Sequence, residues 1–256
     1  MKYYVVADPH GFYSELVSAL RDKGYFDDVA PHKLIICGDL LDRGGEALKM
    51  QEFILDLMER GEIILVRGNH EDLMLALLAD WDKRSFEQRH HLHNSTVDTV
   101  LQMAGESSVT AENSERILKI ARASAFVTQI IPQTIDYFET EHYIFVHGWI
   151  PCFRTQIAPT KYLNSKIEDW RNAGSDDWWE ARWINGMDAW SQGVCEQGKT
   201  IVCGHFHCSY GHSQIEHKGS EFGEDADFEP FVADGILAID ACTAVSGKVN
   251  CVIIED

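Results

Sequence analysis

The chain has 256 residues, 45% of them hydrophobic and 25% charged, which suits one large α/β unit with a buried core and excludes a disordered or collagen-like class. A net charge of -19 argues against broad binding to nucleic acid or to an anionic membrane, because those surfaces reward clustered lysine and arginine. No apolar run approaches the roughly 20 residues that span a bilayer, and the opening run Met1 to His10 turns polar too soon for a signal peptide. Seven scattered cysteines without a Cys-x-x-Cys pair fit reduced thiols and a cytoplasmic setting better than a disulfide framework.

Taken in chain order, three short β-like runs come first: Lys2 to Ala7, Lys33 to Cys37 and Glu62 to Val66. Helical spacing fills Glu15 to Arg21 and Ala47 to Arg60 between them. Such alternation predicts parallel strands with right-handed crossovers, and ligand sites then gather at the carboxyl ends of the strands. Leu73 to Asp80, Thr96 to Met103 and Ser114 to Ala125 read as further helices, and Thr134 to Thr140 with His142 to Val146 reads as a hairpin around Glu141. The stretch from Trp149 to Gln197 holds six of the seven tryptophans and reads as a loop-and-helix insertion that shapes substrate access. A strand is expected at Thr200 to Cys203. Ile236 to Asp240 and Val249 to Ile254, joined through Ser246-Gly247-Lys248, read as a closing hairpin. Without a repeat or a low-complexity linker, residues 1–256 are expected to form a single domain.

The chemistry-bearing motifs fall just after the early strands. Asp8-Pro9-His10-Gly11 sets a carboxylate and an imidazole at the end of the first strand, with Pro9 fixing the turn and Gly11 letting the backbone pass. Gly38-Asp39-Leu40-Leu41-Asp42-Arg43-Gly44 follows the second strand and Gly68-Asn69-His70-Glu71 the third. Asp and Asn beside Gly are ordinary turn formers, which accounts for any one motif. It does not account for carboxylates, an amide, imidazoles and a guanidinium along one sheet edge.

Together with His147-Gly148 and Gly204-His205, these motifs resemble the calcineurin-like metallophosphoesterases. They are more closely similar to the phosphoprotein phosphatase family, which includes bacterial and phage serine/threonine phosphatases and symmetrical diadenosine tetraphosphate hydrolases. Ala7 stands where that family usually has Gly, and no ligand is lost by it. The resemblance implies a four-layer α/β/β/α sandwich of two mixed sheets flanked by helices. It also implies two divalent ions, manganese first and iron or zinc next, held by Asp8, His10, Asp39, Asn69, His147 and His205, with Asp39 shared. Oxygen and imidazole donors without thiolate suit those metals. His70 is then the proton donor to the leaving group, Asp42 the carboxylate that keeps it protonated, and Arg43 the phosphate clamp.

A second clamp is expected at Arg182, with Arg171 as competitor, while Arg67 reads as the partner of a carboxylate. The expected function is a serine/threonine-type protein phosphatase, with a diadenosine tetraphosphate or other nucleotide phosphohydrolase as the alternative, and an inactive metal-bound interaction module as a reading of another class. Partners are accordingly phosphorylated proteins or small phosphoesters, with no stable nucleic-acid or membrane binding.

Several features carry no functional weight at this stage. His93-Asn94-Ser95-Thr96 resembles a degraded form of the family's Asn-Gly-Gly-x-x-Thr segment. Cys203-Gly204-His205-Phe206-His207-Cys208 invites a structural zinc, but consecutive ligands on one extended segment cannot readily surround an ion. His90, His91 and His93 read as a solvated face. The acidic run Glu221, Glu224, Asp225, Asp227 and Glu229 would favour basic peptides or repel polyanions if it lay beside the cleft.

Overall fold

The computed structural model describes residues 1–81, 89–159 and 161–256. The chain runs β1 (Lys2–Val6), α1 (Tyr13–Asp22), β2 (His32–Cys37), α2 (Ala47–Arg60), β3 (Ile63–Val66) and α3 (Asn69–Ala79), then α4 (Arg89–His93), α5 (Thr96–Ala104) and α6 (Ser114–Ala123). It continues through β4 (Phe138–Glu139), β5 (Tyr143–Phe145), β6 (Cys152–Ala158), β7 (Lys161–Lys166), α7 (Ser175–Ala181), α8 (Gly186–Ser191) and β8 (Thr200–Cys203). The last elements are α9 (Cys208–Tyr210), β9 (Phe231–Ala233), β10 (Ile236–Ala238), α10 (Thr243–Ser246) and β11 (Cys251–Glu255).

One sheet has the order β11-β1-β2-β3, with β1, β2 and β3 parallel and β11 antiparallel. The other has the order β4-β5-β8-β10-β9, with β5, β8 and β10 parallel and antiparallel strands at both edges. Side-chain alternation stacks the layers. Tyr4, Val6, Leu34 and Ile36 face Leu16, Leu20, Ile54, Leu57 and Leu77 of the helices, whereas Tyr3, Val5, Ile35 and Cys37 meet Phe145 and Val202 of the second sheet. Beyond that sheet, Ile144, Val146 and Ile201 pack on Trp149, Trp170 and Trp178. The result is the expected α/β/β/α sandwich.

Four sequence expectations need correction. The region after Trp149 contains a two-stranded hairpin, β6 and β7, in addition to loops and helices. Its alternation was hidden by Phe153, Ile157 and Leu163, which are exposed instead of packed in a core. The expected hairpin at residues 134–146 is reduced to two paired positions, Phe138 with Phe145 and Glu139 with Ile144. Its first residues are drawn to the other sheet, where Ile135 bridges Val66 and donates its N–H to Leu65. The closing hairpin is absent, because β10 pairs with β8 in the second sheet and β11 with β1 in the first. His91 is buried and not part of a solvated face, although His90 and His93 are exposed. Among the described residues no helix is long and apolar enough to cross a membrane.

Candidate metal centre

The parallel strands deliver their following loops to one edge of the sandwich, and the backbone there is bent sharply. Asp8, His10, Asp39, Asp42, Arg43 and His205 all have positive φ, between 47° and 75°. Asp and His tolerate the left-handed region better than most residues, but each such conformation persists only where its surroundings over-determine it. Gly38, at φ 83°, has no alternative: a Cβ there would lie 2.5 Å from His147 Nδ1 and 2.7 Å from Gly68 Cα. The crossing loops approach that closely. Glu71 fastens them, its buried carboxylate accepting the N–H groups of Gly68 (2.7 Å), Leu40 (3.0 Å) and Asp39 (3.1 Å).

Asp39 lies at the centre. Its Oδ2 is 3.6 Å from His10 Nε2 and 3.7 Å from His70 Nε2, while its Oδ1 is 3.4 Å from His147 Nε2 and accepts the His70 backbone N–H at 3.0 Å. Ligand atoms of His10, Asp39 and His70 lie within 4.8 Å of one another, as do those of Asp39, His147 and His205. Asp39 thus belongs to both groups. Asn69 Oδ1 sits 2.8 Å from His147 Nε2. Asp8 lies beside the first group and not within it, one of its oxygens accepting the His205 backbone N–H at 2.9 Å.

The residues present fit cations. His10 and His147 each bond a backbone carbonyl through Nδ1, Leu41 at 3.1 Å and Cys37 at 2.9 Å, an arrangement that leaves Nε2 with a lone pair. Burial pushes both imidazoles below their usual pKa and His205 down to about 3, so all three are neutral donors. Burial, with Asp240 and Asp39 close by, pushes the Asp8 carboxyl well up, and its Oδ1 is a buried oxygen with no hydrogen-bond partner among the described residues, His147 Nδ1 standing 3.8 Å away. Clustered carboxylates with an orphaned oxygen and lone-pair imidazoles are what divalent ions neutralise.

His70 is set apart electrostatically. Burial works to lower it, but the Asp39 and Asp42 carboxylates outweigh that and raise it above the usual histidine value. Its Nδ1 is 2.7 Å from Asp42 Oδ2. Asp42 is held in turn by the hydroxyls of Thr96 (2.9 Å) and Thr99 (2.6 Å). The His93-to-Thr96 segment therefore does have a part in the site, which sequence reasoning denied it.

Arg43 lines the cavity over this cluster, and its guanidinium has no ion pair among the described residues. The same cavity, about 70 Å³, is also lined by Asn94, Trp183, Asp240, Cys242 and Thr243. None of these was singled out for the site from sequence. Asp240 is the most consequential: it is buried, its Oδ1 accepts the Cys242 N–H at 2.7 Å, and burial raises it to about 6. The signal was an acid immediately after a strand, obscured by the expectation of a hairpin.

Arg182 does not line the cavity. It is buried, with Nε on Asp72 (2.7 Å) and Nη1 on Asp136 (2.8 Å), and Arg67 pairs with the same Asp72. Arg171 pairs with Glu139 and Glu196 and lies over the Trp170 ring. Cys203 and Cys208 are buried in the core beneath the second sheet, and His207 bonds Glu221 at 2.9 Å, an arrangement without a zinc knuckle. All seven thiols are free.

The calcineurin-like phosphoesterase profile matches residues 1–227. An asymmetrical bis(5'-nucleosyl)-tetraphosphatase, PrpE, of Bacillus velezensis is 33% identical over 76 residues, covering 27% of this chain and 30% of the relative. A symmetrical bis(5'-nucleosyl)-tetraphosphatase of Buchnera aphidicola is 37% identical over 79 residues, covering 31% and 27%. These matches span less than a third of the relatives' length. A cold-active protein-tyrosine phosphatase of a psychrophilic Shewanella shares the fold, with a TM-score of 0.53 at 14% identity over 100% of this chain and 75% of that one.

Proposed function

This chain belongs to the calcineurin-like phosphoesterases, and from that premise we propose that it is a dinuclear-metal phosphoester hydrolase. The observation that carries the proposal is the position of Asp39, shared between two groups of ligand atoms, with a buried Asp8 oxygen that has no hydrogen-bond partner and an Arg43 that has no ion pair among the described residues beside them. Asp8, His10 and Asp39 would hold one ion, and Asp39, Asn69, His147 and His205 the other. Bound there, the pair would supply an acidified water and a positive clamp on phosphate oxygens.

The chain's own residues supply the rest. Arg43 presents a planar fork of donors to phosphate oxygens at the cavity. The Asp42 carboxylate holds the His70 imidazole by Nδ1, which leaves the Nε2 proton to pass to the leaving oxygen as the P–O bond breaks. Trp183 and the buried floor limit the water in a cavity of about 70 Å³, so the charges inside act at low dielectric.

Hydrolysis of p-nitrophenyl phosphate by manganese-loaded protein, lost in Asp39→Asn and His70→Asn, is the expected result. Absence of turnover in the parent protein would favour an interaction module instead. Two substrate readings stand. Phosphoserine or phosphothreonine in proteins is suggested by the full motif set, and a nucleotide by the names of the curated relatives. Side-by-side turnover of a phosphopeptide and diadenosine tetraphosphate separates them.

A further inference from the structure

A groove of about 900 Å³ adjoins the metal cavity, and Trp183 belongs to the wall of both. The Trp183 ring, 6.0 Å from that of His205, is the side chain that the two have in common. The size is that of a small-molecule site.

Its wall is rich in flat faces. Phe206 and Tyr210 meet edge to face at 5.2 Å, and on the β6–β7 hairpin Arg154 lies 4.1 Å over the Tyr162 ring. Two buried N–H groups on the wall, Trp183 Nε1 and Arg154 Nε, have no acceptor among the described residues. A buried donor without a partner is costly and is satisfied when a ligand brings an acceptor. The acids on the wall are partly engaged: Asp188 Oδ2 accepts from Asn164 and Gln192, and Glu221 Oε1 pairs with His207. The buried polar atoms that the groove leaves without a partner among the described residues are thus donors, set beside π surface.

We propose that this groove binds the purine base of a nucleotide whose phosphate lies in the metal cavity, with Tyr162, Arg154 and Trp183 as specificity-determining residues. The proposal rests on the phosphoesterase reading only for what occupies the cavity. A purine offers two π faces for stacking and ring nitrogens that accept hydrogen bonds. A peptide would bring as many backbone donors as acceptors, whereas the buried wall atoms without a partner are both donors.

The test compares adenosine 5'-monophosphate with inorganic phosphate as inhibitors of p-nitrophenyl phosphate hydrolysis by the manganese-loaded enzyme. The ratio of the two inhibition constants is read, so that changes in intrinsic activity cancel. The mononucleotide is expected to bind roughly 5- to 100-fold more tightly than phosphate, the span of one stacked base. Tyr162→Ala and Arg154→Ala should each remove most of that ratio, and Tyr162→Phe should keep it. Equal inhibition by the two compounds would overturn the proposal, as would a ratio that the hairpin substitutions leave intact. Equilibrium dialysis of adenosine against metal-free protein gives a second reading that needs no catalysis. Adenosine binding that depends on Tyr162, in a protein that hydrolyses nothing, would retain the groove and remove the phosphoesterase reading. Hydrolysis with no adenosine binding would do the reverse.

Discussion

Both sheets set three parallel strands side by side with antiparallel partners, yet the connections at their carboxyl ends differ in what they carry. In the first sheet the chain passes from Val6 to Tyr13, from Cys37 to Ala47 and from Val66 to Asn69 before the next helix begins. In the second, it leaves at Phe145 and returns as a strand of the same sheet only at Thr200, then leaves at Cys203 and returns at Phe231. Short connections leave few ways to satisfy the backbone, so they can hold strained residues in fixed places. Long ones carry extra elements, here the hairpin, α8 and α9, which wall a groove beyond the His147 and His205 that the same connections bring to the cation site. The cation ligands come from both sheets, whereas the groove wall is separated onto the connections of the second alone.

That separation can be broken in order of severity. Asp39→Asn, in a short connection, should drop turnover of every phosphoester to background and abolish stoichiometric metal in the purified protein; retained metal and activity would end the shared-ligand assignment. His70→Asn should keep the metal and lose roughly 100- to 10,000-fold in kcat, the usual span for a positioned acid. Gly38→Ala should cost about 2–4 kcal/mol of stability by urea unfolding, from left-handed strain and the overlap with His147.

Arg182→Ala sharpens the comparison from the long side. Because its donors are taken by Asp72 and Asp136, it should lose about 2 kcal/mol of stability while phosphate inhibition stays constant. Weakened phosphate binding would restore it as a clamp. The smallest effect is expected at Glu139, which Arg171 chiefly, and Lys199, hold down to about 2 from 4.5. A depressed carboxylate contributes stability above its unfolded value and loses it as pH falls through the folded one. The parent's advantage over Glu139→Gln should therefore be full above about pH 4.5 and fade towards pH 2, and an advantage that grew on acidification would contradict the pairing.

Legibility in the sequence follows the same division. The ends of β1, β2 and β3 were readable because strand, turn and ligands occur within a few residues, so local pattern and tertiary position coincide. His147 and His205 were found only by family resemblance, since each is a lone imidazole after a strand. Asp240 escaped because its place depends on β10 and β11 joining different sheets, a partner choice that alternation does not encode. The Arg182 pairing depends on Asp72 and Asp136, 110 and 46 residues away. No local spacing carries that information.

Glu71 has a further consequence for how ions enter. By tying Gly68, Asp39 and Leu40 together through their own N–H groups, it sets the cradle in shape before any ion arrives. Little conformational freedom then remains to be lost on binding, in contrast to small zinc modules whose fold is created by the metal. The chelated protein should keep its native circular dichroism and take up manganese again without a refolding phase, so that metal supply can switch its activity on and off while the folded chain persists.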